Sequence, residues 1–134
     1  MPEEPKNYLG IDWGASKVGV AFADSETRMA FPFSTLSNDR NLSYTLKDII
    51  DSKDVGIVVI GIPSHVNRED VLYGGEKLAA ALEKLVPIRI AFQNEMFTTK
   101  MAKENLKERG VRHIARYDDA EAARIILQEW LDKV

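Results

Sequence analysis

The run Gly56-Ile57-Val58-Val59-Ile60-Gly61-Ile62 places apolar residues on both alternating faces of an extended chain. A strand with this pattern is covered on both sides, as in the centre of a sheet that lies between layers of helices. Pro63 ends the run, and segments with helical spacing precede and follow it. We therefore expect an α/β chain in which long crossovers join this strand to parallel neighbours.

Segments with strand and helix patterns surround this central strand. Three short apolar segments at the start of the chain predict a meander, because hairpins can join antiparallel strands. Later segments alternate between helical spacing and extended apolar runs, which predicts α-β-α-β crossovers. The predicted strands are 8–12, 17–24, 28–36, 56–62 and 88–92, and the predicted helices are 42–50, 71–85, 98–109 and 119–133. The result is a five-stranded mixed sheet with helices on both faces.

Composition limits the classes of protein that this chain can belong to. Its 134 residues, 45% of them hydrophobic, are enough for one packed domain over 1–134. The formal net charge of -3 gives no general positive field, so binding of nucleic acid requires a local patch. The lack of cysteine excludes disulfides and thiolate metal sites. No apolar run approaches the roughly 18 residues of a membrane span, so we expect a cytoplasmic protein without a membrane partner.

Three carboxylates fall where a sheet of this topology would end. Asp12 closes the first strand, Glu95 follows the fifth strand, and Asp119 opens the last helix. Each has an ordinary alternative: Asp12 as a solvated turn residue, Glu95 as an exposed loop carboxylate and Asp119 as a helix cap. An acid at the end of an apolar strand is nevertheless costly to bury without a cation or hydrogen-bond donors.

Asp118 is the alternative to Asp119, because one of this adjacent pair could cap the helix while the other serves a site. The spacing of Asp119 from Ala122, Ala123 and Ile126 aims it at the sheet and favours it over Asp118.

A convergence of Asp12, Glu95 and Asp119 at one end of the sheet predicts a site for Mg²⁺ or Mn²⁺. Hard divalent cations prefer oxygen ligands, and phosphate esters complete their coordination shells. In the general two-metal scheme, the ions lie roughly 4 Å apart and assist the attacking and the leaving oxygens. The predicted chemistry is hydrolysis of a phosphodiester.

The best local cationic patch lies between residues 100 and 116. Six cations and one histidine stand there against two glutamates, which favours contact with a phosphate backbone. The alternative is a solvated amphipathic helix with ordinary Lys/Glu pairing. The hydroxyls of Thr98 and Thr99 can donate to phosphate, although a threonine at a helix start is often an N-cap. From this region we predict nucleic-acid contacts at Thr98, Thr99, Lys100, Arg112 and Arg116.

Four short motifs occur in a characteristic order and are spread along nearly the whole chain. They are Gly10-Ile11-Asp12-Trp13-Gly14 with Lys17-Val18-Gly19-Val20-Ala21, then Val59-Ile60-Gly61-Ile62-Pro63, then Glu95 with Thr98-Thr99, and finally Asp119 with Ala122-Ala123. With them the sequence resembles the YqgF/RuvX-type pre-16S rRNA nucleases, also described as Holliday junction resolvase-like proteins with a ribonuclease H-like fold. The resemblance implies that Asp12, Glu95 and Asp119 are the active-site acids. It further implies a structured nucleic-acid substrate and a role in 5′-end processing of pre-16S rRNA during ribosome biogenesis.

The chain departs from the family pattern at two places that bear on activity. Where the family carries an Asp-Glu-Arg triplet, this sequence reads Asn94-Glu95-Met96, which lacks one acid and the basic residue. Where the family usually carries an arginine after the first turn, this chain has Lys17, which can meet a phosphate but cannot form a bidentate contact.

Three other functions are compatible with parts of this pattern. A catalytically weak or inactive relative that only binds RNA or ribosome precursors would keep the fold and the patch without the chemistry. Resolution of Holliday junctions in branched DNA would use the same acids, in a monomer or a homodimer. An actin-like ATPase would use 12–16 as a phosphate loop, but it needs a second domain for which this chain has no room.

Overall fold

The computed structural model describes residues 6–62, 74–94 and 119–134. Within these ranges the strands are β1 (Asn7–Asp12), β2 (Lys17–Ala23), β3 (Phe31–Ser37), β4 (Val55–Ile62) and β5 (Arg89–Asn94), and the helices are α1 (Leu42–Ser52), α2 (Gly74–Leu85) and α3 (Asp119–Lys133). The helix predicted over 98–109 and the first turn of the one predicted over 71–85 lie outside the described residues.

The strands form one sheet in the order β3-β2-β1-β4-β5. The pairs β1–β2 and β2–β3 are antiparallel, whereas β4 lies parallel to both β1 and β5. The predicted fold class is therefore confirmed: a meander is followed by crossovers that pass through α1 and α2.

Alternating strand residues supply two separate hydrophobic cores, one on each face of the sheet. On the first face, large aliphatic residues of β1, β2 and β4 pack against α1 and α2. On the second face, small residues of β2 together with Val59 pack against α3. Trp130 of α3 reaches the first strand, where its ring centroid lies 6.0 Å from that of Tyr8. Among the described helices, none is long and apolar enough to cross a membrane.

Two strand boundaries differ from the prediction by more than one residue. Strand β3 begins at Phe31 rather than at residue 28, because Arg28 closes a turn by donating its N–H to the carbonyl of Asp24 at 3.0 Å. Arg28 has a φ of 54°, a left-handed conformation that a strand cannot contain. Strand β5 continues to Asn94, because its pairing with β4 persists to that residue. The N-cap of α1 is Asn41, whose side chain makes no capping hydrogen bond.

Hydrogen bonds from Gln128 hold the second half of α3 against the turn that precedes β3. Its side-chain oxygen accepts the N–H of Ala30 at 2.8 Å, and its amide donates to the carbonyl of Arg28 at 3.3 Å. Arg28 in turn donates to the carbonyl of Leu131 at 3.2 Å. This half of the helix is therefore fixed to the meander by polar contacts as well as by packing.

Candidate active site at the carboxyl edge of the sheet

Asp12 is the last residue of β1 and is half-buried on the face of the sheet that carries α3. The direction follows from Gly10, because a Cβ on that residue would lie 2.6 Å from Cβ of Leu127 in α3. Side chains two residues apart in a strand share a face. The carboxylate of Asp12 therefore belongs to the α3 side.

Gly19 of β2 connects Asp12 to the beginning of α3. It is the register partner of Asp12 in the β1–β2 pair, and directly opposed residues lie about 5 Å apart between Cα atoms. A Cβ on Gly19 would overlap the carbonyl oxygen of Asp119, so only glycine permits so close an approach of the helix. Two acidic residues from opposite ends of the sequence thus have their backbones on either side of Gly19.

The parallel strands end at this same edge. Ile11 of β1 is level with Ile60 of β4, and Ile62 of β4 is level with Asn94 of β5. Glu95 is the next residue in sequence after Asn94 but lies outside the described residues. The same holds for the other predicted site residues beyond β5, namely Thr98, Thr99, Lys100, Arg112 and Arg116, and for the alternative acid Asp118.

Lys17 is the exposed first residue of β2, two positions before Gly19. Alternation along the strand puts Lys17 on the same face as Gly19, and therefore on the face of Asp12 and Asp119. A cation at this position can meet the phosphate of a substrate that approaches the carboxylates. Lys17 is the one predicted nucleic-acid contact that falls within the described part of the chain.

The donor set at this edge suits a hard divalent cation. Asp12 and Asp119 offer carboxylate oxygens, which Mg²⁺ and Mn²⁺ prefer. Within residues 6–62, 74–94 and 119–134, no group of three His, Cys, Asp or Glu residues is close enough together to hold a metal ion. Two of the three predicted ligands, Asp12 and Asp119, fall within the described residues, and the third, Glu95, does not.

Asn38 fixes the turn that follows Asp12, a role that the sequence did not indicate. Its side-chain amide donates to the carbonyl of Gly14 at 2.6 Å, and its backbone N–H donates to the carbonyl of Ser16 at 2.9 Å. Asn38 directly follows the last residue of β3 in the sequence. The signal that could have found it is the predicted meander, which brings the residue after β3 beside the turn between β1 and β2.

Gln93 is a second residue that the sequence did not single out. It is only 4% exposed, and its amide donates to the carbonyl of Asn94 at 3.2 Å and to a carboxylate oxygen of Glu129 in α3 at 3.4 Å. This buried amide fixes the backbone at Asn94, the last described residue before Glu95. Gln93 directly follows the predicted strand 88–92, so a polar residue at a strand end was the available signal.

Comparison with known proteins assigns the fold and the sequence to a family. Residues 6–133 match RuvX, described as Holliday junction resolvase. The chain belongs to the RuvX family. A RuvX-family relative from Maridesulfovibrio salexigens, named "Putative pre-16S rRNA nuclease", is 35% identical and aligns with 92% of this chain and 96% of its own length. One from Rickettsia typhi with the same name is 33% identical, with 100% of this chain and 88% of its own length aligned.

Solved resolvases share the fold of this RuvX-family chain. T. thermophilus RuvC in complex with Holliday junction substrate has a TM-score of 0.62 at 13% identity and covers 96% of this chain and 94% of its own. Fowlpox virus resolvase, solved with Holliday junction DNA, has a TM-score of 0.58 at 8% identity and covers 95% of this chain and 97% of its own. At such low identities the likeness concerns the fold.

Proposed function

We propose that this RuvX-family protein is a metal-dependent nuclease that hydrolyses phosphodiester bonds in structured nucleic acid. The observation that carries the proposal is the contact of Gly19 with the first residue of α3, because it brings the backbones of Asp12 and Asp119 together at one edge. The names of the two relatives support pre-16S rRNA as the substrate. For such a substrate we propose 5′-end processing as the role.

In this proposal each group at the edge has a separate task. Asp12, Glu95 and Asp119 hold Mg²⁺ or Mn²⁺, which supplies Lewis-acid stabilisation of charge and lowers the pKa of water. Lys17 contacts a phosphate beside the scissile bond and reduces the repulsion between substrate and carboxylates. Asn38 and Gln93 keep the backbone around Asp12 and Asn94 in place, so that the acids are ordered before substrate binds.

Asp12→Asn provides the first test, because it keeps the shape of the side chain and removes its charge. The protein is incubated with a pre-16S rRNA fragment that carries its 5′ leader, with Mg²⁺, Mn²⁺ or EDTA. We expect metal-dependent cleavage that Asp12→Asn reduces at least about 100-fold, since a metal ion contributes several kcal/mol to the transition state. Asp48→Asn, the same change on the exposed side of α1, is the matched control and should cleave normally.

Two further experiments distinguish between the possible substrates and between the two candidate acids before α3. A four-way DNA junction tested in parallel distinguishes resolution of branched DNA from processing of rRNA. Asp118→Asn compared with Asp119→Asn tells which member of the adjacent pair serves the site. Binding of RNA without cleavage under all metal conditions would contradict the nuclease and leave a binding protein.

A further inference from the structure

A groove runs along the outer surface between α1 and α2. Two adjoining hollows of about 340 Å³ and 230 Å³ share Ser43, Lys77 and Ala81, and together they form this α1–α2 groove. One end is lined by Trp13, the residue directly after Asp12, whose ring lies against Gly74 at the start of α2. The groove therefore begins one residue from the carboxyl edge of the sheet.

Two lysines give the α1–α2 groove a positive charge. Lys77 and Lys84 are seven residues apart on α2, which places them on one stripe about 10 Å apart along the helix axis. In the described part of the chain, neither lysine forms an ion pair, in contrast to Lys47, whose ammonium lies 2.9 Å from Asp51. The one carboxylate on the groove wall, Asp39, accepts the backbone N–H of Asn41 at 2.9 Å.

Aromatic rings line both parts of the groove. Trp13 is half-buried at the end near Asp12, and Tyr44 of α1 is 60% exposed at the outer end. Unpaired bases stack on exposed aromatic rings while lysines contact the adjoining phosphates, and this combination is typical of surfaces that bind single strands. The floor of alanines, Ala80 and Ala81, leaves room for a flat base beside Tyr44.

We propose that the α1–α2 groove binds a single-stranded segment of nucleic acid that flanks the cleavage position. Lys77 and Lys84 contact successive parts of the phosphate backbone, and a base stacks on Tyr44. A duplex does not fit between two packed helices, whose axes lie about 8–10 Å apart. The leucines on the groove wall, Leu42, Leu78 and Leu85, are buried or half-buried. Tyr44 is therefore the one large exposed hydrophobic residue described there, and it offers an aromatic ring rather than the aliphatic surface that a protein partner would use. The inference rests on the proposed nuclease function for the identity of the strand.

The binding test compares the wild-type protein with Lys77→Ala/Lys84→Ala by fluorescence anisotropy of a labelled single-stranded RNA 12-mer. We expect the double variant to weaken binding about tenfold. The slope of log affinity against log salt should fall by about 1.4, or 0.7 for each lost phosphate contact. Lys53→Ala/Lys133→Ala removes the same charge outside the groove and should change the affinity less than twofold. Equal losses in the two double variants would overturn the proposal.

Substitutions at Tyr44 test the contribution of base stacking to binding separately from that of the lysine charges. Tyr44→Ala should weaken binding of the 12-mer about fivefold or more, and Tyr44→Phe should restore it, because the ring provides the stacking surface. Both variants are first checked for unchanged thermal unfolding. Displacement of the 12-mer by an equally long polyglutamate peptide would identify an acidic protein segment as the occupant and refute the nucleic-acid assignment.

Cleavage kinetics separate this inference from the proposed function. With an rRNA substrate that has a single-stranded tail, Lys77→Ala/Lys84→Ala should raise KM about tenfold and leave kcat unchanged. A blunt duplex substrate should be insensitive to the substitutions. If no substrate is cleaved but the 12-mer still binds through the two lysines and Tyr44, the proposed nuclease activity is refuted and the proposed binding by the groove is supported. If cleavage depends on Asp12 but the single-stranded tail has no effect, only the proposed binding by the groove is refuted.

Discussion

The two faces of the sheet differ in the size of the side chains that β1 and β2 present to the helices. On the face under α1 and α2, these strands present the bulkier buried residues: Leu9, Ile11, Val18 and Val20. On the face under α3 they present four small ones, Gly10, Gly19, Ala21 and Ala23, and the large buried residues of that core, such as Ile126 and Leu127, come from the helix itself. Small strand residues let a helix backbone approach the strands, whereas large ones hold it further away. The close approach of a helix, on which the geometry of the candidate site depends, is therefore a property of the α3 face.

Leu46→Ala should have the largest effect on stability, because it truncates a large buried side chain on the face under α1 and α2. Leu46 of α1 is fully buried against the sheet, and removal of its side chain leaves a cavity. We expect the free energy of unfolding to fall by about 2–5 kcal/mol in urea denaturation, with normal activity of the folded fraction. Asp48→Ala on the exposed side of α1 is the control, and its free energy of unfolding should stay within about 0.5 kcal/mol of the wild-type value. A loss below about 1 kcal/mol for Leu46→Ala would show that large side chains on the face under α1 and α2 contribute little to stability.

Gly19→Ala should reduce cleavage more than it reduces stability. The added Cβ would overlap the carbonyl of Asp119, so the first turn of α3 must move. We expect destabilisation of about 1–3 kcal/mol but a loss of cleavage greater than tenfold at temperatures where the variant is fully folded. Gly75→Ala in α2 is matched to it, since a Cβ there would lie 3.0 Å from a side-chain methyl of Ile60, on the face opposite α3. Equal activity of the two variants would show that the approach of α3 does not control the site.

Gln128→Ala tests whether polar contacts supplement the packing on the α3 face. It removes the acceptor of the half-buried Ala30 N–H, and we expect a loss of about 1–2 kcal/mol in the free energy of unfolding. Hydrogen exchange at the Ala30 amide should become faster. Lys133→Ala, on the exposed end of α3, should leave both measurements unchanged. An unchanged exchange rate in Gln128→Ala would contradict the contact.

Asp24→Asn should have the smallest effect, which is measured as a change in the pH dependence of Tm. The N–H and the hydroxyl of Thr27, followed by the N–H of Glu26, hold the pKa of Asp24 below its ordinary value. A lowered pKa stabilises the fold fully above about pH 4 and ceases to do so as the pH falls through the lowered value. The difference in Tm between wild type and Asp24→Asn should therefore shrink as the pH falls from 6 towards 3. A constant difference would assign the effect to the hydrogen bonds alone.

Much of the fold was readable because hydrophobic patterns report local structure. The doubly apolar run around Val58 predicted a central strand, and the stripe from Ala122 to Leu131 predicted α3 with its observed bounds. The start of β3 was predicted wrongly, because the turn at Arg28 depends on contacts with Asp24 and α3 that a local pattern does not contain. The predicted site roles stay predictions, because Glu95 and the basic residues after it lie outside the described residues.

Spacing along the chain was enough to predict the order of the described elements, the mixed character of the sheet and the candidate acids. The folded structure was needed to show that Gly19 lies between Asp12 and Asp119 and that Asn38 bridges the turn after Asp12. Only it joined Trp13, Tyr44 and two lysines into one groove. These contacts join residues far apart in sequence, and their distances depend on how closely a helix packs on a strand, which hydrophobic periodicity does not encode.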